Sequence, residues 1–298
     1  MNQVTDQQII EILRKEAVPA LGCTEPVACA LACAKCKEVL GGVPERLDVL
    51  VSGNIYKNGM GVGIPGTGMV GLPIAAALGA VCGKSEYGLE VLKEVNVGDN
   101  LQRAKDMLGQ VTVSLKEDAP DKLYAEALAT KGNDTVKVII AHTHTNIVLV
   151  EKNGEEIFKR EFRLDTSKPE DKGPELSVKR IWDFVHEVDV KDIEFVLQGA
   201  EMNKAISAEG LNSEYGLQIG KTLKENIDKG LLEDDLLNRT LIRATAASDA
   251  RMDGCPKPVM TNSGSGNQGI TVYLPVVVAA EKFGASREQL ARALALSN

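Results

Sequence analysis

Apolar positions Ile9, Ile10, Leu13 and Ala17 recur at helical spacing, so Gln7 to Glu16 predicts an amphipathic helix, and a second helical pattern runs from Pro26 to Leu40. Pro19 stops the first. Between them Pro19-Ala20-Leu21-Gly22-Cys23-Thr24-Glu25-Pro26 reads as a loop in which Gly22 turns the chain, Thr24 can cap the second helix and Pro26 fits its first turn. Leu47 to Val51 is apolar and β-branched and predicts a strand that runs into a loop at Ser52-Gly53-Asn54. The glycine-dense stretch from Asn58 to Gly71 has too little side-chain bulk for a helix and predicts a loop lined by backbone. An Ala-rich helix is expected over Leu72 to Val81, with two more over Tyr87 to Val95 and Leu101 to Leu108.

The pattern then changes to short strands: Val111 to Leu115, Leu123 to Ala129, Val136 to His142, Ile147 to Glu151 and Glu155 to Arg160. Gly132-Asn133-Asp134 and Asn153-Gly154 serve as hairpin turns. Asp165 to Pro174 reads as a linker, and helices are expected over Val178 to Val188, Asp192 to Leu211, Tyr215 to Lys229 and Asp234 to Arg251. Strands and helices segregate along the chain, which implies an α+β fold: a helical lobe with an inserted mixed lobe containing a largely antiparallel sheet. The expected division is a helical domain from residues 1–45 and 175–298, with 46–174 as the α+β insert. Ser286 to Leu296 forms a further helical pattern, yet Asn298 arrives without a capping Gly or polar tail, so more chain is expected beyond it.

Composition narrows the class. With 298 residues and 44% hydrophobic content the chain can bury two modest cores. A net charge of -8 without a basic stripe, and only 4% aromatic residues, argue against nucleic acid as a partner. No apolar run reaches the roughly 18 to 20 residues that span a bilayer. Six cysteines without regular spacing or a signal peptide point to a reducing, cytoplasmic home.

Cys23 is the thiol set apart by its neighbours, because a helix N-terminus favours thiolate over thiol. Cys29, Cys33 and Cys36 fall on one helix face and read as a core stripe; Cys33-x-x-Cys36 lies inside the helix, where a redox pair is not expected. Gly66-x-Gly68-x-x-Gly71 matches a dinucleotide fingerprint, but Pro65 breaks the strand it requires. Asn262-Ser263-Gly264-Ser265-Gly266-Asn267-Gln268-Gly269 is a stronger signal, since it precedes an apolar helical run and offers free N–H groups, hydroxyls and carboxamides to a carboxylate or phosphate. A plain capped turn is the alternative, although a cap needs one such residue and not a run. Arg251 could add a bidentate partner. His142-Thr143-His144 would place both imidazoles on one strand face as a metal pair, but the apolar residues sharing that face favour packed histidines. His186 is expected to be structural.

The blocks PALGCTEP (19–26), KNGMGVGIPGTGMVGLP (57–73), HTNIV (144–148), SDARM (248–252) and NSGSGNQGI (262–270) together resemble the L-cysteine desulfidase family, which is related to the iron-sulfur L-serine dehydratase alpha chain. The resemblance covers nearly all of the chain. It implies a [4Fe-4S] enzyme that degrades L-cysteine to sulfide, pyruvate and ammonia. Three thiolates would hold the cluster, one iron being left open to act on the leaving group. Cys23 matches the first ligand, and the other two are expected in a segment beyond this chain, so that the 298 residues would be a fragment or need a partner chain. Lys57 and His144 are then the candidates for the base, Ser52, Asn54 and Asn58 for orienting the amino group, and Asn146 for substrate contact. The turn Asn262 to Gln268 with Arg251 would hold the carboxylate. Alternatives are an L-serine dehydratase half, a homo-oligomer, or an amino-acid or anion binder without catalysis.

Overall fold

The computed structural model of the chain describes residues 4–160 and 176–298, so the expected linker Asp165 to Pro174 lies outside the described residues. In chain order, helix α1 (Asp6–Glu16), the short strand β1 (Pro19–Ala20) and helix α2 (Thr24–Leu40) precede β2 (Arg46–Val51) and α3 (Gly53–Gly59). The two-residue strands β3 (Gly63–Ile64) and β4 (Met69–Val70) pair as a hairpin before α4 (Leu72–Val81) and α5 (Asn100–Met107). Strands β5 (Val111–Leu115), β6 (Tyr124–Lys131), β7 (Asp134–Ala141), β8 (Ile147–Lys152) and β9 (Glu155–Lys159) follow. Helices α6 (Val178–Glu187), α7 (Val190–Ile193), α8 (Val196–Asn212), α9 (Ile219–Asp228) and α10 (Leu236–Met252) lead to β10 (Val259–Met260), α11 (Gly266–Phe283) and α12 (Arg287–Ser297). The fold is α+β.

The described residues form two compact units, one from residues 4–20, 176–251 and 257–298, the other from residues 21–160 and 252–256. In the second unit a six-stranded sheet runs in the order β5-β2-β6-β7-β8-β9, antiparallel except for the parallel pair β2 and β5. Leu47, Val49 and Val51 alternate inward with Ala125, Ala127, Ala129, Val136, Val138 and Ile140, and α2 and α4 share their core. Helix α2 is apolar on nearly every face, which fits a helix enclosed on all sides. Its small residues let α4 approach so closely that a Cβ at Gly79 would collide with the carbonyl of Ala30. The sequence division gave α2 to the helical domain. Its buried Ala and Cys positions instead pack within the sheet-bearing unit, and the compact units divide between residues 20 and 21.

In the helical unit α1 packs Ile9, Ile10 and Leu13 against Phe184, Val185 and Ile193. Arg180 ties α6 to α1 through Asp6 and the carbonyl of Val4. Strand β10 pairs antiparallel with β1 and receives a second partner on its other side: Asn203, fully buried, donates from Nδ2 to the Met260 carbonyl (3.3 Å) and accepts from the Met260 N–H (2.9 Å). Among the described residues no helix is long and apolar enough to cross a membrane.

Four local expectations need correction. Ser52-Gly53-Asn54 does not open a loop but caps and starts α3, whose buried Ile55 anchors it. Part of the glycine-dense stretch is the β3–β4 hairpin. Tyr87 to Val95 is not a helix; a 3₁₀ segment Ser85–Glu90 is broken at Gly88, where φ is +52°. The segment Asp192 to Leu211 is two helices, α7 and α8.

Candidate functional site

Cys23 is the N-cap of α2, with extended backbone (φ -76°, ψ 138°) and its side chain nearly enclosed. The thiol caps no N–H; it donates to Glu25 Oε2 at 2.8 Å. Glu25 also accepts from Thr24 Oγ1 at 3.3 Å on the same oxygen and, on Oε1, from Asn58 Nδ2 of α3 at 3.0 Å. Burial raises its pKa, but the hydrogen bonds from Cys23 and Asn58 and the nearby charge of His144 outweigh it, so the carboxyl titrates below its ordinary value. The structure therefore brings Cys23, Asn58 and His144 around a carboxylate that sequence reasoning passed over. An acid in a first helical turn reads as a complement to the helix dipole, and its contact with Asn58 spans 33 residues.

Glycines fix this arrangement. Gly22 takes φ +79°, and a Cβ there would stand 2.6 Å from Pro65 Cγ, so only glycine lets the Cys23 loop lie against the β3–β4 turn. Gly63 in turn lies against the backbone of Asp253, and Gly66 N–H donates to the Gly254 carbonyl at 3.1 Å. Two of the sequence blocks, 19–26 and 57–73, thus meet within one unit, with Asp253 and Gly254 beside them.

Other candidates fall elsewhere. Ser52 is buried, its hydroxyl donating to the Lys122 carbonyl (2.7 Å) and accepting from the Tyr124 N–H (3.3 Å), which joins α3 to β6. Asn54, exposed on α3, lines an open cavity of about 430 Å³ with Ser52, Lys116 and Asp121. Lys57 is exposed on α3. Asn146 holds a turn: its Nδ2 donates to the Ala141 carbonyl at 3.0 Å and its Oδ1 accepts from Arg160 at 2.8 Å. The expected strand position of His142 is wrong. Strand β7 ends at Ala141, and His142 takes φ +70°, with its N–H and its Nδ1 both directed to Asp121 Oδ2 at 2.9 and 2.8 Å.

In the helical unit the amide-rich segment forms a tight turn. Asn262 and Ser265 exchange backbone hydrogen bonds, Ser263 and Gly264 take φ +50° and +74°, and Ser265 caps α11 through Gln268 N–H at 3.3 Å. Asn262 Oδ1 accepts from Gln268 Nε2 at 2.7 Å, and its Nδ2 donates to the Asn298 carbonyl at 2.9 Å. Both carboxamides thus stabilise the turn itself. Arg251, only 4% exposed, donates from Nη1 to Asn267 Oδ1 at 3.0 Å. Its guanidinium lies where a Cβ on Gly266 would be, and Gly269 lies against the Met260 carbonyl, so both glycines are required for packing. A guanidinium and the first N–H groups of an 18-residue helix form a setting that favours an anion.

All six cysteines are buried and none forms a disulfide. Burial pushes the thiol of Cys29 up to about 12 and raises those of Cys33, Cys36 and Cys82, so these favour the protonated form that binds metal poorly. Among the described residues no group of three His, Cys, Asp or Glu side chains is placed to hold a metal ion. Cys23 combines a carboxylate partner with a helix N-terminus, and one thiol is not a ligand set. The described residues by themselves do not fit a [4Fe-4S] cluster.

A sequence profile of the serine dehydratase alpha chain matches residues 86–298. The UPF0597 protein of Actinobacillus pleuropneumoniae serotype 3 (strain JL03) is 50% identical over 98% of this chain and 68% of its own length. The UPF0597 protein of Dichelobacter nodosus (strain VCS1703A) is 48% identical over 99% and 69%, and that of Parabacteroides distasonis 46% identical over 100% and 70%. No solved structure matches.

Proposed function

The chain belongs to the serine dehydratase alpha chain family, and on that premise we propose that it is a lyase acting by β-elimination on a small amino acid, L-cysteine before L-serine. The observation that supports this reading most is the turn at the start of α11, where the buried Arg251 guanidinium lies against the first turn of an 18-residue helix, a setting suited to the carboxylate common to both substrates. Elimination removes the Cα proton to a base while the Cβ–S bond breaks, its electron pair leaving with sulfur, which takes up a proton. The 2-aminoacrylate left behind tautomerises to an imine, and water hydrolyses it to pyruvate and ammonia. With L-serine the leaving group is water.

The base is taken from Lys57, exposed on α3, or His144. Cys23 is the one residue of this chain proposed as a ligand of a [4Fe-4S] cluster, which when bound would supply Lewis-acid chemistry to the leaving group. The cytoplasm, where six thiols outside any disulfide remain reduced, is the compartment we assign.

A second reading is amino-acid binding without turnover, since among the described residues no three His, Cys, Asp or Glu side chains are grouped to hold a metal. Anaerobic incubation of the iron- and sulfide-treated, desalted chain separates the readings. Equimolar pyruvate and sulfide from L-cysteine supports the desulfidase. Pyruvate from L-serine alone supports the dehydratase, and binding of either amino acid without pyruvate supports the binder.

A further inference from the structure

Strand β9 closes one edge of the six-stranded sheet, and among the described residues no strand pairs with its outer side. All of its residues are exposed, whereas the other edge strand, β5, is largely half-buried. Ile157 and Phe158 are 57% and 40% exposed, and a largely apolar cavity of about 200 Å³, lined by Tyr124, Ile139 and Leu149, borders Glu156 and Lys159. An unpaired edge is commonly guarded by charges or a bulge that turn other strands away. β9 has a bulge where its register with β8 shifts, and it has charges, yet these are sorted: Glu155 and Glu156 begin the strand, Lys159 ends it and Arg160 follows. Lys159 meets Glu156 of its own strand at 2.5 Å, but both side chains are exposed, and such a pair contributes little.

We propose that β9 pairs antiparallel with β9 of a second copy of this chain and extends the sheet across a two-fold axis. In that direction the acidic start of each strand meets the basic end of the other. With Ile157 at the axis, Glu155 lies opposite the partner's Lys159; a shift by one residue sets Glu155 opposite the partner's Arg160 and Glu156 opposite the partner's Lys159. Both registers join opposite charges, while a parallel copy sets like charges side by side, so the pattern selects the direction. A uniformly acidic or basic strand matches only half of β9. Pairing also gives partners to main-chain groups on the outer side of β9 and covers Ile157 and Phe158. A five-residue edge is small against the roughly 800 Å² per partner of a stable interface, so the dimer is weak and depends on concentration. The inference is independent of the lyase reading.

Analytical ultracentrifugation of the full 298-residue chain over a range of concentrations tests this. Two double variants are compared with the wild type: Glu155→Lys with Glu156→Lys, which makes the strand wholly basic, and Lys159→Glu with Arg160→Glu, which makes it wholly acidic. The wild type should show a monomer–dimer equilibrium that weakens as salt is raised. Each variant alone should dimerise about ten-fold more weakly or worse, because like charges then face each other along the strand. An equimolar mixture of the two should recover a dimer containing one copy of each. Thermal unfolding checks that both variants fold. Should either fail, hydrogen exchange of the wild type decides: amides of residues 155–160 should gain protection as concentration rises. A wild type that stays monomeric at every concentration, a dimer that neither variant weakens, a mixture that recovers no dimer, or protection at 155–160 that ignores concentration overturns the proposal.

Discussion

Replacing Asn203 by alanine should destabilise the helical unit and loosen the turn that begins α11. Asn203 is fully buried, and both of its polar atoms meet one residue, Met260, whose N–H and carbonyl it serves as a neighbouring strand would. Strand β10 has β1 on its other side, where the Thr261 N–H donates to the Val18 carbonyl at 2.9 Å and the Thr261 hydroxyl donates to the same carbonyl at 2.7 Å. Without Asn203 two main-chain groups would be buried and unmatched. Each costs about 1–3 kcal/mol when left so, and the small void from the lost carboxamide adds to it. The total should come to about 3–5 kcal/mol, a large share of the ~5–15 kcal/mol by which domains are stable.

Two measurements check this. Urea denaturation should show a lower midpoint for Asn203→Ala in the transition that unfolds the helical unit. Hydrogen exchange followed by mass spectrometry should show faster exchange in peptides covering residues 258–269, next to the lost contacts, and little change in α2 or β6. A loss below about 1 kcal/mol, smaller than one unmatched buried group, with unaltered exchange at 258–269, would refute the argument that one side chain acts as the missing strand.

The remaining expectations concern packing and protonation. Gly79→Ala sets a methyl against the Ala30 carbonyl and should cost at least the ~1–3 kcal/mol of an overpacked core, read as a lower thermal midpoint. Burial raises the Cys29 thiol to about 12, above its unfolded value; this stabilisation is complete below the unfolded pKa and is lost as pH rises toward 12, so Cys29→Ala should flatten the alkaline limb of the stability profile. Glu38 shows the opposite sign. Desolvation raises its pKa, but hydrogen bonds from Ser85 and Lys35 outweigh this, so its contribution is present above the unfolded pKa and lost as pH falls through the depressed folded value; Glu38→Gln should flatten the acid limb.

The sheet was legible because its alternation is regular: Leu47, Val49 and Val51 point inward while Arg46, Asp48 and Leu50 do not. Helix α2 was legible as a helix but not as a member of the sheet unit, since a segment apolar on all faces does not reveal which layer it joins. Helix α3 was missed because Gly53, Asn54, Asn58 and Gly59 are poor helix formers. It forms through tertiary contact, with Ile55 buried and Gly59 lying under Leu72. His142 was misplaced for the converse reason. Its period matches the strand, but the chain turns through a left-handed backbone there, stabilised by Asp121 from a distant loop.

The candidate site shows the same division between local and distant information. Cys23 could be placed at a helix start from its neighbours alone, and the structure puts it at the N-cap. Glu25 could not, because its distinguishing property is a balance of donors and charge that depends on a residue 33 positions away. In the other unit the sequence suggested that carboxamides would face a ligand, whereas Asn262 and Gln268 bond to each other and Asn262 also holds Asn298. A run of small and amide residues is thus compatible with two different roles, donors to an anion or braces of a turn, and only the fold distinguishes them. Here the carboxamides of Asn262 and Gln268 act as braces.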